Sequence, residues 1–220
     1  MDIVSYLLGK NSSGGGGGSA SDYFVDTLPY NVSKNKSVAD YIVKKIPPFS
    51  VAGTVTALTG AFYYNDKLVS VGEITNTSQV TATNSMFENC SSLVEIPLFD
   101  TSAVTNMQNM FASCTSLETV PEFDTSSTTN ISGMFRYCTN LKNIPAFDWK
   151  SVTGTLNNAF NSCTLLTDES LNNIMASCIT ATSYTGTKNL SALSLSSAQK
   201  EKCQTLSNYP AFLDAGWTAD

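Results

Sequence analysis

Residues Met86–Ser102 read MFENCSSLVEIPLFDTS, and residues Met110–Ser126 read MFASCTSLETVPEFDTS. The second stretch repeats the first and keeps phenylalanine, cysteine, leucine, proline and aspartate in phase. A unit of this length cannot bury its own apolar side, so it needs neighbouring units stacked on both faces. The repeat therefore predicts a fold built from similar short coils.

The spacing of the apolar positions assigns the parts of each coil. The core positions recur at Phe87, Phe111, Phe135 and Phe160, at Cys90, Cys114, Cys138 and Cys163, and at Leu93, Leu117, Leu141 and Leu166. The segment SLVEIP predicts a short strand, and the segment DTSAVTNMQNMF predicts a short helix as the return limb. The sequence thus predicts an α/β solenoid whose coils, about 24 residues each, form a parallel β-sheet with strands about 4.8 Å apart.

The repeat cysteines are expected to form one column inside the stack. Neighbouring thiols would lie about one strand spacing apart, but their Cβ vectors would be parallel, which disfavours a disulfide. Zinc ligands usually come in pairs about two to four residues apart, and this repeat does not supply such pairs. We therefore expect buried free thiols with a structural role, with disulfides and a metal site as weaker alternatives. Cys178 and Cys203 lie outside the repeat and stay unassigned.

The consensus MFxxCxSLxxIPxFDTSxVTNMxxMF resembles the BspA-type leucine-rich repeat, which occurs in bacterial surface proteins and in tail proteins of bacteriophages and prophages. The resemblance covers residues 62–163, and it departs from many family members in the prolines Pro97, Pro121 and Pro145. It implies leucine-rich-repeat coils between an N-terminal and a C-terminal cap. The first residues and the C-terminal segment are also similar to those of phage-encoded members.

Composition divides the chain into five segments. Residues 1–10 are expected to form a short attachment helix, with Ile3, Val4, Leu7 and Leu8 on one side. Residues 11–21 are expected to form a Gly/Ser-rich flexible linker, because consecutive glycines lose much backbone entropy on ordering. A disordered start is the alternative for both segments. Residues 22–60 form an N-terminal cap, residues 61–166 the leucine-rich-repeat solenoid, and residues 167–220 a helical C-terminal cap.

Capping signals place helices in both caps. In the N-terminal cap, the segment YIVKKIPP predicts a helix that ends at two prolines. In the C-terminal cap, one helix is predicted to begin at Asp168 and another after Ser196 or Ser197. Trp217 is expected to cover the open edge of the last coil, because a solenoid end needs such a cover.

Charge and composition exclude several classes of function. The net charge is −6 and only 14% of the residues are charged, so the clustered cations that bind nucleic acid are missing. The chain has no histidine, which removes the commonest general base and the usual histidine ligand sets. We therefore expect no enzyme, no cofactor and no nucleic-acid partner. The apolar runs are too short for a membrane span.

Aspartates recur in phase at Asp100, Asp124 and Asp148. Such residues usually accept backbone N–H bonds within their own turn, and the Thr-Ser that follows two of them fits this role. A column of carboxylates could instead bind calcium, which prefers oxygen ligands. Capping is the favoured prediction, with calcium as the alternative.

Positions that vary from coil to coil are the candidates for contacts with a partner. Because Tyr, Trp and Arg dominate interface energetics, we place a binding surface at Arg136, Tyr137 and Trp149, with Trp149 as the exposed aromatic side chain. The other candidates are Glu88, Asn89, Glu95, Glu118, Lys142 and Asn143. The alternative is neutral variation on a solvated face.

These observations, with the resemblance, predict a non-catalytic recognition or structural component of a bacteriophage or prophage particle, such as a tail or fibre accessory protein. It would be made in the bacterial cytoplasm, bind other virion proteins through its N-terminus, and contact a protein or glycan of a bacterial surface. The sequence shows no secretory signal, which favours this interpretation over a bacterial cell-surface adhesin. A purely structural virion protein is the third option, and a homo-oligomer stays open.

Overall fold

The computed structural model describes Phe24–Val25, residues 44–46 and residues 48–220. The predicted attachment helix at residues 1–10, with Ile3, Val4, Leu7 and Leu8, and the predicted linker at residues 11–21 lie outside the described residues. The same holds for most of the segment in which the N-terminal cap helix was predicted.

Short parallel strands open the described chain. Strands β1 (Phe24–Val25), β3 (Phe49–Val51) and β5 (Ile74–Thr75) form one sheet, and β2 (Lys45–Ile46) pairs with β4 (Ser70–Val71). Phe49 lies opposite Ile74 and Lys45 opposite Ser70, so each strand pairs with the chain one repeat length later. Successive units therefore lie side by side in the same direction.

The helix predicted for the segment YIVKKIPP is wrong at its end. Lys45–Ile46 form strand β2, in which Ile46 is buried against the neighbouring unit. Ile46 precedes Pro47, and a residue before proline is pushed away from helical and toward extended backbone. Pairing with β4 therefore prevails over the helical pattern.

Isolated parallel β-bridges between neighbouring units extend the pairing beyond the strands. One line joins Ser70 to Glu95, and Thr119 to Asn143; a second line joins Ala57, Ala82, Asn106 and Asn130 in order. Every step along both lines equals one period of the sequence repeat. The backbone ladder thus follows the sequence repeat through residues 57–143.

The helix predicted for the return limb is wrong, because turns take its place. Along this segment, successive backbone N–H groups donate in turn to the same unit and to the next unit. The Met110 N–H group donates to the Met107 carbonyl oxygen within its own turn (3.2 Å). The Phe111 N–H group donates to the Met134 carbonyl oxygen of the next unit (2.9 Å). A helix would instead direct every N–H group back along its own chain. Asn109, at φ 54°, lies in the left-handed region and turns its N–H group toward Ser132 of the next unit (2.9 Å).

A column of phenylalanine rings forms the centre of the stack. The rings of Phe62, Phe87, Phe111, Phe135 and Phe160 lie parallel to one another, with neighbouring centroids 5.2 to 5.7 Å apart. All of them are buried, as are the leucines of the repeat. Each unit thus buries a large part of its apolar side against its neighbours.

Helices occupy the C-terminal region. They are α1 (Asp168–Thr180), a 3₁₀ helix (Leu190–Leu193), α2 (Ser197–Cys203) and α3 (Tyr209–Asp214). The predicted starts of the first two α-helices are confirmed, with Thr167 as the N-cap of α1 and Ser196 as the N-cap of α2. None of the helices in the described part of the chain is long and apolar enough to cross a membrane.

Helix α1 lies along the edge of the last unit and takes over the role of the next one. Its hydroxyl groups accept N–H bonds from that edge: Ser170 from Ile144 (3.0 Å), Ser177 from Phe147 (2.8 Å) and Thr180 from Trp149 (2.7 Å). Trp217 is buried and packs between the rings of Tyr184 (5.6 Å) and Phe212 (5.8 Å).

Candidate functional site

The repeat thiols form a regular internal column. Each S–H group donates to the carbonyl oxygen of the core phenylalanine one unit earlier, over 3.0 to 3.1 Å. The pairs are Cys90 with Phe62, Cys114 with Phe87, Cys138 with Phe111, and Cys163 with Phe135. In every unit the cysteine lies three residues after its own core phenylalanine, and its thiol bonds to the core phenylalanine of the preceding unit.

Burial makes these thiols unreactive. Desolvation raises the pKa of Cys90 and of Cys163 to about 12, and it raises the pKa of Cys114 and Cys138 well above the ordinary value. A thiol needs its thiolate form to act as a nucleophile or a metal ligand. The column therefore serves packing, and it does not supply a reactive sulfur at neutral pH.

Cys178 and Cys203, which the sequence left unassigned, lie in the C-terminal helices. Both are buried, and desolvation raises the pKa of each thiol, that of Cys203 to about 11. All six cysteines are free. The residues that the structure describes contain no group of three or more histidine, cysteine, aspartate or glutamate side chains placed to hold a metal ion.

The in-phase aspartates cap their own turns. One carboxylate oxygen accepts the N–H bond of the residue two positions later: Asp100 from Ser102 (3.0 Å), Asp124 from Ser126 (2.9 Å) and Asp148 from Lys150 (3.1 Å). Hydrogen bonds from the side chain and backbone of the following serine lower the pKa of Asp100 and of Asp124. The predicted capping role is confirmed.

Four of the predicted binding residues lie on one surface, which we call the turn face. It consists of the residues one and two positions after each core phenylalanine, which are Tyr63, Tyr64, Glu88, Asn89, Ala112, Ser113, Arg136, Tyr137, Asn161 and Ser162. Ala112 is buried, and the others are partly or largely exposed. Glu88, Asn89, Arg136 and Tyr137 therefore lie on one continuous surface along the stack.

The backbone of the turn face has the same conformation in every unit. The second residue after each core phenylalanine is left-handed, with φ between 63° and 65°; these residues are Tyr64, Asn89, Ser113, Tyr137 and Ser162. Most of their N–H groups donate to the next unit, as from Asn89 to Ala112 (2.8 Å). Side chains differ there while the backbone stays the same.

Exposed aromatic side chains lie in two units of the turn face, the first unit and the fourth. Tyr64 is 56% exposed and Tyr137 is 44% exposed. The ring of Tyr63 meets the ring of Tyr64 edge-on, with centroids 4.5 Å apart. The Arg136 guanidinium carbon lies 4.9 Å from the centroid of the Tyr137 ring. Tyr64 was not among the predicted binding residues, although it lies two residues after Phe62, as Tyr137 does after Phe135.

The remaining exposed candidates lie on a second surface, the strand face, formed by the two residues after each repeat leucine. Glu95, Glu118 and Asn143 are exposed, and Lys142 is half-buried. The Lys142 ammonium group forms an ion pair with the Glu118 carboxylate at 3.0 Å. The charged ends of both side chains are accessible to water, so this pair contributes little to stability.

A groove of about 610 Å³ adjoins the strand face where the last units meet α1. Its lining includes Pro121, Pro145 and the acidic side chains Glu122 and Glu169, and of the predicted residues it includes Asn143. The prolines were noted in the sequence only as a departure from the repeat, so this concave surface was missed.

The prediction that Trp149 is exposed is wrong. Only 1% of its surface is accessible, and its ring lies 6.5 Å from the rings of Phe147 and Phe160. Trp149 occupies the unit position of Thr101 and Thr125, whose side chains also point inward and are buried. The position determines the direction of the side chain, so a larger residue there enlarges the core and cannot contact a partner.

The comparisons with known proteins identify one family. A family model described as "Mycoplasma protein of unknown function, DUF285" matches residues 56–174, which is more than half of the chain. No curated protein and no solved structure matches the chain. The matched region contains the ring column, the thiol column, the turn face and the strand face.

Proposed function

The chain belongs to the DUF285 family, and we propose that it is a non-catalytic recognition protein built as a BspA-type leucine-rich-repeat solenoid. The observation that carries the proposal is the separation of constant and variable positions within each unit. Phe87 and Phe111 are alike and buried, whereas Asn89 and Ser113, two residues later, differ and face solvent on an identical backbone. A scaffold of this kind lets surface side chains change without changing the fold.

The chemistry of the described residues supports a role without catalysis. The chain has no histidine, and the buried thiols have raised pKa values that keep them protonated. The aspartates that recur in phase are occupied by backbone N–H donors. No pair of groups suited to acid–base catalysis is apparent among these residues, so binding is the function that the surface supports best.

We place this recognition at a bacterial surface, with the protein carried by a phage or prophage particle as an accessory tail or fibre component. The resemblance of the repeat to phage and prophage tail proteins supports this setting. A bacterial cell-surface adhesin is the second candidate, because the repeat also resembles that of bacterial surface proteins. A purely structural virion protein is the third, and in that case the turn face would bind no partner.

Binding of the purified full chain to cells of the bacterium that carries its gene tests the proposal. The double variant Arg136→Ala, Tyr137→Ala should bind at least about tenfold more weakly, because arginine and aromatic side chains contribute most at interfaces. Its thermal unfolding should be nearly unchanged, since both side chains are partly exposed.

Leu98→Ala is the matched control for this experiment. Leu98 is 59% exposed and lies outside the turn face. The Leu98→Ala variant should therefore bind cells like the wild type. Binding of the double variant at wild-type strength would remove the turn face from the proposal. If the wild-type chain binds no cells at all, the purely structural role becomes the better account. Immunogold labelling of induced virions and of intact cells distinguishes the two settings.

A further inference from the structure

Tyr64 and Tyr137 occupy the same unit position, three units apart, and both have left-handed backbone with φ 63°. This conformation is unfavourable for a residue with a bulky side chain and better suited to glycine or asparagine. The equivalent positions between them hold Asn89 and Ser113. Since both rings are about half exposed, core packing does not account for an aromatic residue at either place.

The neighbourhood holds both rings in place. The N–H group of Tyr64 donates to the Glu88 carbonyl oxygen at 2.8 Å, and that of Tyr137 donates to Asn161 at 2.7 Å. The Tyr63 ring and the Arg136 guanidinium group pack against one ring each. A ring that is already positioned loses less conformational entropy when a ligand binds.

The polar groups between the two rings have no net charge. Three steps of about 4.8 Å place the tyrosine positions about 14 Å apart along the stack. Asn89 and Ser113 lie on the line between them and present an amide and a hydroxyl group. One acid, Glu88, and one base, Arg136, balance each other on the turn face.

We infer that the turn face binds a neutral polysaccharide that lies along the stacking direction, with the rings of Tyr64 and Tyr137 as two platforms for sugar rings. This inference rests on the proposed function and names the class of partner. The apolar C–H face of a sugar packs on an aromatic ring, and its hydroxyl groups bond to amide and hydroxyl side chains such as those of Asn89 and Ser113. A repeating polymer matches a repeating surface.

A protein partner fits this surface less well. Protein interfaces centre on desolvated apolar anchors surrounded by a polar rim. The exposed aliphatic side chains of Val94, Leu98 and Leu165 all lie outside the turn face. The turn face itself combines tyrosine with amide and hydroxyl groups, which suits a hydroxyl-rich ligand.

The test uses the purified full chain and cells of the bacterium that carries its gene, in three preparations: untreated, oxidised with periodate, and digested with protease. Periodate cleaves the vicinal diols of sugars, so it should abolish binding, whereas protease digestion should leave binding intact. The reverse pattern would overturn the inference while leaving recognition of a bacterial surface in place. Absence of binding to untreated cells would instead remove the proposed function.

Single variants locate the two platforms. Tyr64→Ala and Tyr137→Ala should each weaken binding at least about tenfold, because loss of either platform also removes the avidity of two sites on one polymer. Leu98→Ala is the control of comparable exposure and should bind like the wild type. Unfolding midpoints close to the wild-type value would exclude a purely structural effect. Periodate-sensitive binding that survives both tyrosine variants would place the glycan site elsewhere and overturn the assignment.

Discussion

The repeat region, residues 56–166, and the C-terminal region, residues 167–220, satisfy the same kind of backbone group in different ways. Within the repeat, backbone N–H groups donate to backbone carbonyl oxygens of a neighbouring unit. The Lys142 N–H group, for example, donates to the Glu118 carbonyl oxygen at 3.0 Å. At the end of the stack a side chain substitutes, as where the Phe147 N–H group donates to the Ser177 hydroxyl at 2.8 Å. The stack of units in this chain thus ends where the hydroxyl groups of α1 accept the N–H bonds of the last edge.

This difference determines which residues are free to vary. In the repeat the backbone ladder needs no particular exposed side chain, so the turn face can hold tyrosine, asparagine or serine at one position. In α1 the polar face is committed, because Ser170, Ser177 and Thr180 are the acceptors for the last edge. The repeat therefore suits recognition, and the C-terminal region suits termination of the stack.

The largest expected effect concerns the thiols, four of which lie in the repeat column. The folded-state pKa of Cys90 and of Cys163 is about 12, against an ordinary value of 9.0. Because the folded pKa is raised, the stabilisation is complete below about pH 9 and is lost as the pH rises toward 12. At pH 10 the ionisation of unfolded thiols should lower the free energy of unfolding by about 1–2 kcal/mol for each buried thiol, or by several kcal/mol for the column.

Urea unfolding at about pH 7 and about pH 10 measures this loss. The double variant Cys114→Ala, Cys138→Ala removes two of the six buried thiols, since Cys178 and Cys203 also have raised pKa values, and it should lose about two thirds as much stability over the same pH interval. The comparison is between pH values within each variant, so the smaller core of the variant cancels. Equal losses in the variant and the wild type would mean that the column thiols do not govern the response to base.

The second test compares ring packing in the two regions. Phe111 packs against the rings of Phe87, Phe123 and Phe135, whereas Phe212 in α3 has two ring neighbours. Phe111→Ala should lower the free energy of unfolding by about 3–5 kcal/mol, because it leaves a cavity in the middle of the stack. Phe212→Ala should cost less.

Hydrogen exchange sharpens this comparison. A gap at Phe111 should speed amide exchange in the units on both sides, since each unit is stabilised by its neighbours. The variant at Phe212 should speed exchange in the C-terminal region alone. A uniform increase across the chain in both variants would argue that the two regions unfold as one.

The smallest expected effect concerns the end of the stack, where side-chain hydroxyl groups of α1 accept N–H bonds that backbone carbonyl oxygens accept within the repeat. Ser177→Ala leaves the buried N–H group of Phe147 without its acceptor, which should lower the free energy of unfolding by about 1–3 kcal/mol. The control Ser197→Ala changes an exposed serine at the start of α2 and should stay within about 0.5 kcal/mol of the wild type. Thermal unfolding measures both, and equal midpoints for the two variants would contradict the termination role of α1.

The sequence predicted some features well because they depend on neighbours along the chain. The start of α1 followed from the helical pattern that begins at Asp168, and the start of α2 followed from the capping position of Ser196. The capping role of Asp100 depends on an N–H group two residues away. The helix predicted for the return limb was wrong. Val104, Met107 and Met110 have helical spacing, but several N–H groups of this segment donate to carbonyl oxygens of other units. The α/β solenoid class, as a whole, stays a proposal.

The candidate site was only partly predictable for a related reason. Arg136 and Tyr137 were selected as variable residues, and both lie on the turn face. Trp149 was selected by residue type, although its unit position is the buried position of Thr101 and Thr125. Tyr64 was missed because its unit departs from the repeat, with Asn65 where the later units have cysteine.

The sequence by itself determined the period of the repeat, the recurring phenylalanine, cysteine and leucine that each unit buries, and the point at which helices replace the repeat. These features follow from side-chain chemistry and from spacing along one chain. Only the tertiary structure decided that the return limb forms turns, that the thiols donate to phenylalanine carbonyl groups of the preceding unit, and that Trp149 points inward. Those outcomes depend on hydrogen bonds and contacts between units, and a single unit contains only half of each.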